Sequence, residues 1–129
     1  MNYYNSKSIA KTTIDAIRPK VEEALKNEGF GVLTEIDIKA TMKKKLDKDY
    51  LPYIILGACN PNYADKVLSI EPNIGTMLPC NVILRELKSG DVEISIIDPS
   101  AAMGTIGNPE LEIHAKEVQV KLMKVLNSI

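Results

Sequence analysis

The stretch NVILRELKSGDVEISII, Asn81 to Ile97, decides the fold class. Two runs rich in β-branched and aliphatic residues, Asn81 to Leu87 and Val92 to Ile97, flank Lys88-Ser89-Gly90-Asp91, a turn-rich segment of hairpin length. Strands joined so tightly pair antiparallel, because a parallel return needs a crossover of roughly a dozen residues or more. Upstream, Leu51 to Ala58 is a continuous aliphatic run bounded by Pro52 and by Cys59-Asn60-Pro61, which suits a central strand. Phe30 to Ile36 reads as a further strand carrying apolar residues on both sides of its alternation, and Tyr3-Tyr4 as the mark of an edge strand.

Helical periodicity fills the gaps. Ile14, Ile17, Val21 and Leu25 recur at spacings of three and four; Thr12 or Thr13 caps this helix, Gly29 ends it, and Pro19 removes an internal hydrogen bond and bends it. Asp37 is the expected cap of a short helix striped by Ile38, Met42 and Leu46, with Lys43, Lys44 and Lys45 on its other faces. Asn60-Pro61, Asp98-Pro99 and Asn108-Pro109 each read as a cap followed by a proline in the first turn. The last of these opens a helix with Leu111, Ala115, Val118, Leu122 and Val125 on one face. Strands separated first by helices and then by a hairpin predict a single α+β domain over residues 1–129, with helices covering a mainly antiparallel sheet.

Composition narrows the function. The 129 residues are enough for one core without disulfide or metal staples, and a chain 45% apolar and 26% charged is neither disordered nor a disulfide scaffold. Lys plus Arg number 16 against 17 Asp plus Glu, so no basic field advertises nucleic acid or anionic lipid. No apolar run approaches the roughly 18 residues of a membrane span, no leader is expected at the start, and the protein reads as cytoplasmic. Without tryptophan and with a single phenylalanine, stacking platforms for bases or flat cofactors are scarce.

Neither GxGxxG nor a Walker sequence is present: Gly29-Phe30-Gly31 precedes a strand and no third glycine opens a helix. His114 is the single histidine, and no nucleophile elbow or papain-like motif surrounds any Ser or Cys. No catalytic residue is therefore assigned, and hydrolase or nucleotide-dependent chemistry is not expected. Glu35 and Asp37 share one side of an extended strand, but Asp37 is better explained as a cap, as is Asp98; Lys43 to Lys45, flanked by Asp47 and Asp49, form a solvated face, and Arg85 an exposed ion pair.

The dipeptide Cys-Asn occurs twice, at Cys59-Asn60 leaving one strand and Cys80-Asn81 entering the next. Antiparallel order brings both thiols to one end of the sheet; a parallel crossover separates them. Cys59 also precedes a helix start, whose free N–H groups favour a thiolate. As buried small hydrophobes beside turns, the cysteines taken one at a time are better explained by packing than by reactivity. Candidate ligand-binding residues are thus Cys59, Asn60, Cys80, Asn81 and Asp98. A metal, with zinc the candidate, would draw on Cys59, Cys80 and His114, although these lack any recognised ligand spacing.

The blocks GFGVLTEIDIKATMKKKL (Gly29 to Leu46), YIILGACNP (Tyr53 to Pro61), EPNIGTMLPCNV (Glu71 to Val82) and IIDP (Ile96 to Pro99) resemble the bacterial and archaeal family called domain of unknown function 302. The resemblance implies a small α+β protein with a sheet similar to that of the TATA-binding-protein fold, and a homodimer. It brings no activity and no catalytic residues. A DNA-binding role does not follow from fold likeness, and this chain lacks the basic saddle such a role needs.

The expectation is a cytoplasmic small-ligand-binding or interaction module, acting as a homodimer and presenting GACNP and LPCNV around a pocket. Ile113, Val120 and Met123, off the main face of the last helix, are the apolar residues left for a partner. The alternative is a thiol-based redox or soft-metal-binding protein using Cys59 and Cys80, which should lie close together without forming a disulfide.

Overall fold

A computed structural model describes residues 2–129. The elements run β1 (Tyr4–Ile9), α1 (Ile14–Asn27), β2 (Gly31–Asp37), α2 (Ile38–Leu46), β3 (Tyr53–Cys59), α3 (Pro61–Ile70), a 3-10 helix (Pro72–Met77), β4 (Cys80–Glu86), β5 (Val92–Ile97), α4 (Pro99–Gly104) and α5 (Pro109–Asn127). The sheet has five strands in the order β1-β5-β4-β3-β2, and every neighbouring pair is antiparallel. This is an α+β fold in which the Asn81–Ile97 hairpin supplies the middle of the sheet.

The caps follow from the sequence. Thr13 Oγ1 accepts from Ala16 N–H, Asp37 Oδ1 from Ala40 N–H at 2.9 Å, and Asn108 Oδ1 from Glu110 and Leu111 N–H. Glu86 adds a carboxylate at the start of α1 by accepting from Ile14 N–H at 3.1 Å. The α1 helix continues through Pro19 to Asn27, and Gly29 then takes a φ of +85°, a conformation a side chain would strain.

Alternation divides the sheet into two faces. Leu56, Ala58, Val82, Leu84, Val92, Ile94 and Ile96 join Ile14, Ile17, Val21 and Leu25 of α1 and Val118, Leu122 and Val125 of α5 in the main core. A second, smaller cluster of Val67, Ile74, Met103, Leu111 and Ala115 lies among α3, the 3-10 helix, α4 and α5. The Ile38–Met42–Leu46 stripe does not seat in either: α2 has no buried residue, and Leu46 is 58% exposed. Its helix is held locally by the Asp37 cap and by Lys43, which bridges Asp47 at 2.8 Å and Asp49 at 3.3 Å. Among the described residues no helix is long and apolar enough to cross a membrane.

Candidate functional site

Because β3 and β4 are antiparallel neighbours, with Ala58 opposite Cys80, the two Cys-Asn dipeptides meet at one end of the sheet. Cys59 and Cys80 both line a single cavity of about 40 Å³, and neither is in a disulfide. Phe30, Ala58 and Val118 of the main core form one wall, and Val67, Met103 and Ala115 of the smaller cluster another, so the cavity occupies the seam between the two. Leu78 and Pro79, joined by a cis peptide bond, complete it beside Cys80.

The seam is almost wholly hydrocarbon and sulfur, and its polar side chains are already engaged. Asn60, buried at the start of α3, makes no capping bond there; its Nδ2 donates to the Glu28 carbonyl at 3.3 Å, linking α3 to the end of α1. Tyr63 donates its hydroxyl to Glu117 Oε2 at 2.8 Å, and the Lys66 ammonium lies 5.0 Å from the Tyr63 ring centre. Burial, with a smaller contribution from neighbouring Cys59, pushes the Cys80 thiol up to about 11, so it holds its proton at neutral pH. Cys59, half-buried, is the more accessible of the two.

The other candidates part company here. Asn81 points to the opposite face of the sheet, where it is exposed beside Ile83 and Ser95. Asp98 is consumed by its helix: Oδ1 accepts from Ser100 N–H at 2.9 Å, Ala101 N–H at 3.1 Å and Ser100 Oγ at 2.6 Å. Its contribution to the seam is indirect, since α4 carries Pro99 and Met103 into the lining. His114 stands edge-on to Tyr63 with ring centres 6.3 Å apart, does not line the cavity, and leaves Nδ1 buried without a hydrogen-bond partner.

Among the described residues no three His, Cys, Asp or Glu side chains converge as a metal would require, so Cys59, Cys80 and His114 do not form the expected zinc set. The carboxylates Glu35 and Asp37 are likewise committed, Glu35 to the Arg18 guanidinium and Asp37 to its cap. Phe30, Tyr63, Val67, Leu78, Pro99 and Met103 were not legible as site residues, because ordinary apolar residues acquire a role only when tertiary packing leaves a gap between them.

A family model for Domain of unknown function DUF302 matches residues 5–129. The crystal structure of an uncharacterized conserved protein DUF302 from Bacillus stearothermophilus is 28% identical, covers 98% of this chain and 97% of its own, and superposes with a TM-score of 0.89. No curated protein matches.

Proposed function

This chain belongs to the DUF302 family, and we propose that it is a small-ligand-binding module, acting as a homodimer in the cytoplasm, whose ligand enters the seam between Cys80 and Met103. The observation that carries this reading is an apolar cavity placed where two packing clusters meet, with the Asn60 amide and the Tyr63 hydroxyl of its lining already donating to partners outside it. Such a space selects for apolar or soft ligands, since nothing in it rewards a charge. Its volume of about 40 Å³ limits the buried part of a ligand to a few heavy atoms; one water needs roughly 10–15 Å³ on the same kind of measure. The two free thiols suit a reducing compartment.

The test is NMR titration with xenon and with short alkyl thiols. Shifts confined to Ala58, Val67, Met103 and Ala115 are expected in the wild type, and their loss in Ala64→Leu, which fills the half-buried rim of the cavity. Shifts that persist in Ala64→Leu, or that fall elsewhere, would remove the seam as the binding site.

A thiol-based redox or soft-metal function is the second reading, favoured by one observation: both cysteines line the same cavity. Two sulfurs without a third ligand suit a soft monovalent ion such as Cu(I) better than zinc. The raised Cys80 value weighs against a resting thiolate nucleophile. Metal analysis and thiol titration of protein purified under reducing conditions separate the readings, with the Cys59→Ser, Cys80→Ser double variant as control. Stoichiometric metal lost in the double variant would favour this second reading over the first.

A further inference from the structure

The face of the sheet turned away from α1 and α5 carries, across its middle, apolar residues where a solvated face would be polar, while Thr34, Asn81, Ser6 and Ser8 keep its margins polar. Antiparallel sheets with one wet face alternate apolar and polar residues, whereas a strand apolar throughout is ordinarily covered on both sides. The strand β3 is of the second kind, YIILGAC, yet only Ile54, Leu56 and Ala58 turn toward the main core. Tyr53 and Ile55 project the other way. In register, Tyr53 sits across from Arg85, Ile55 from Ile83 on one side and Ile36 on the other, and Ile83 in turn from Ser95. Tyr53, Ile55 and Ile83 belong to neither core cluster, and Ile36 is 47% exposed. Tyr4, 40% exposed on β1, closes the far side of the same face.

We propose that this face is covered by the same face of a second copy of the chain, making the sheet, rather than the outer side of α5, the dimer interface. Self-pairing demands a surface that does not repel itself, since in a twofold interface each residue meets its own face again. The charges at its centre satisfy this: Arg85 Nε donates to Glu93 Oε1 at 2.9 Å, and Ser95 Oγ donates to the same carboxylate oxygen at 3.2 Å. The pair is neutral and already hydrogen-bonded within one chain, so burial leaves no charge unpartnered. The one lysine within the strands, Lys7 of β1, points to the opposite side, where its ammonium meets the Ile129 carbonyl. Extent agrees as well. Five strands of six or seven residues make a face of roughly 24 by 20 Å at ordinary sheet spacings. Two such faces bury on the order of 1,000 Å², the lower bound for a specific interface.

The inference rests on the homodimer reading above, and the experiment separates the two. Sedimentation velocity on the full chain at 1–200 μM concentrations (about this range suits weak to firm dimers) is expected to show a dimer for wild type. Ile83→Asp, at the centre of the face, should raise the dissociation constant at least tenfold. Val120→Asp, on the exposed side of α5, should leave it unchanged. Tyr4→Asp, at a more exposed position of the same face, repeats the test should Ile83→Asp lose its native circular dichroism. A wild type that stays monomeric overturns both the homodimer and the interface. A dimer untouched by the sheet variants but broken by Val120→Asp overturns the interface alone.

Discussion

Asn60 donates its side-chain amide to the carbonyl of Glu28, so the residue that opens α3 also closes the end of α1. It is buried, and Gly29 approaches so closely that a Cβ there would stand 3.0 Å from Asn60 Nδ2. Replacing Asn60 with Ala removes the donor and leaves the buried side of that junction unfilled. The expected loss is about 1–2 kcal/mol, measured by urea unfolding; an unchanged midpoint would show that the bridge contributes nothing.

Gly57 has no room for a side chain. A Cβ at that position would collide with Thr34 Oγ1 and lie 2.6 Å from the Pro79 ring. Gly57→Ala should destabilise the fold by about 1–3 kcal/mol, the ordinary cost of overpacking. Thr34→Ala in the same chain relieves one of the two contacts, so a double-mutant cycle should recover part of the loss. Additive effects would mean that Pro79 alone sets the limit.

Stability should fall with rising alkalinity through Cys80. The folded thiol keeps its proton to about 11, while the unfolded chain releases it near the ordinary value of 9.0. Between those limits the unfolded state binds fewer protons, so this group's contribution is level below about pH 9 and declines up to about pH 11, by roughly 2–3 kcal/mol in all. Denaturant melts of wild type and Cys80→Ala across that window isolate the effect from the tyrosines and lysines. Parallel curves for the two proteins would remove Cys80 as its source.

Thiol reagents should distinguish the two cysteines. At pH 8 the half-buried Cys59 is expected to react first with a disulfide reagent, and Cys80 only on unfolding. Two equally fast thiols in native protein would contradict the burial of Cys80.

Asp98 supports the seam at a distance. Its carboxylate holds the first turn of α4, and α4 carries Met103 into the cavity wall. Asp98→Ala should cost about 1 kcal/mol of stability and disturb the Met103 methyl resonance, whereas Asp98→Asn, which retains an acceptor oxygen, should do less of both. Identical Met103 signals in all three proteins would disconnect the cap from the cavity.

Much of this architecture is legible in the chain itself. The hairpin turn Lys88–Asp91, the stripes of α1 and α5, and the caps at Asp37, Asp98 and Asn108 are local signals, written within a few residues of where they act. The Cys-Asn repeat marked the place where β3 ends and β4 begins, but only the antiparallel pairing of Ala58 with Cys80 brings the thiols into one cavity. Asn60 was misread as a cap because its position is right and its side chain turns to another helix, a choice fixed by packing that no local pattern records. The α2 stripe misled for the opposite reason: its periodicity is real, but its contacts with β2 and β3 leave Ile38 and Met42 only half-buried and Leu46 exposed.

The strand β1 left little mark beyond its leading tyrosines, since YNSKSI carries no aliphatic residue until Ile9. That same blandness has a use during synthesis. Tyr4 pairs with Ile97 and Ile9 with Val92, so β1 leaves the ribosome well before its partner β5 exists. An aliphatic strand made to wait that long would offer bare backbone and greasy side chains to every neighbouring nascent chain. Asn5, Ser6, Lys7 and Ser8 give its middle little to stick with while β5 is still to be made.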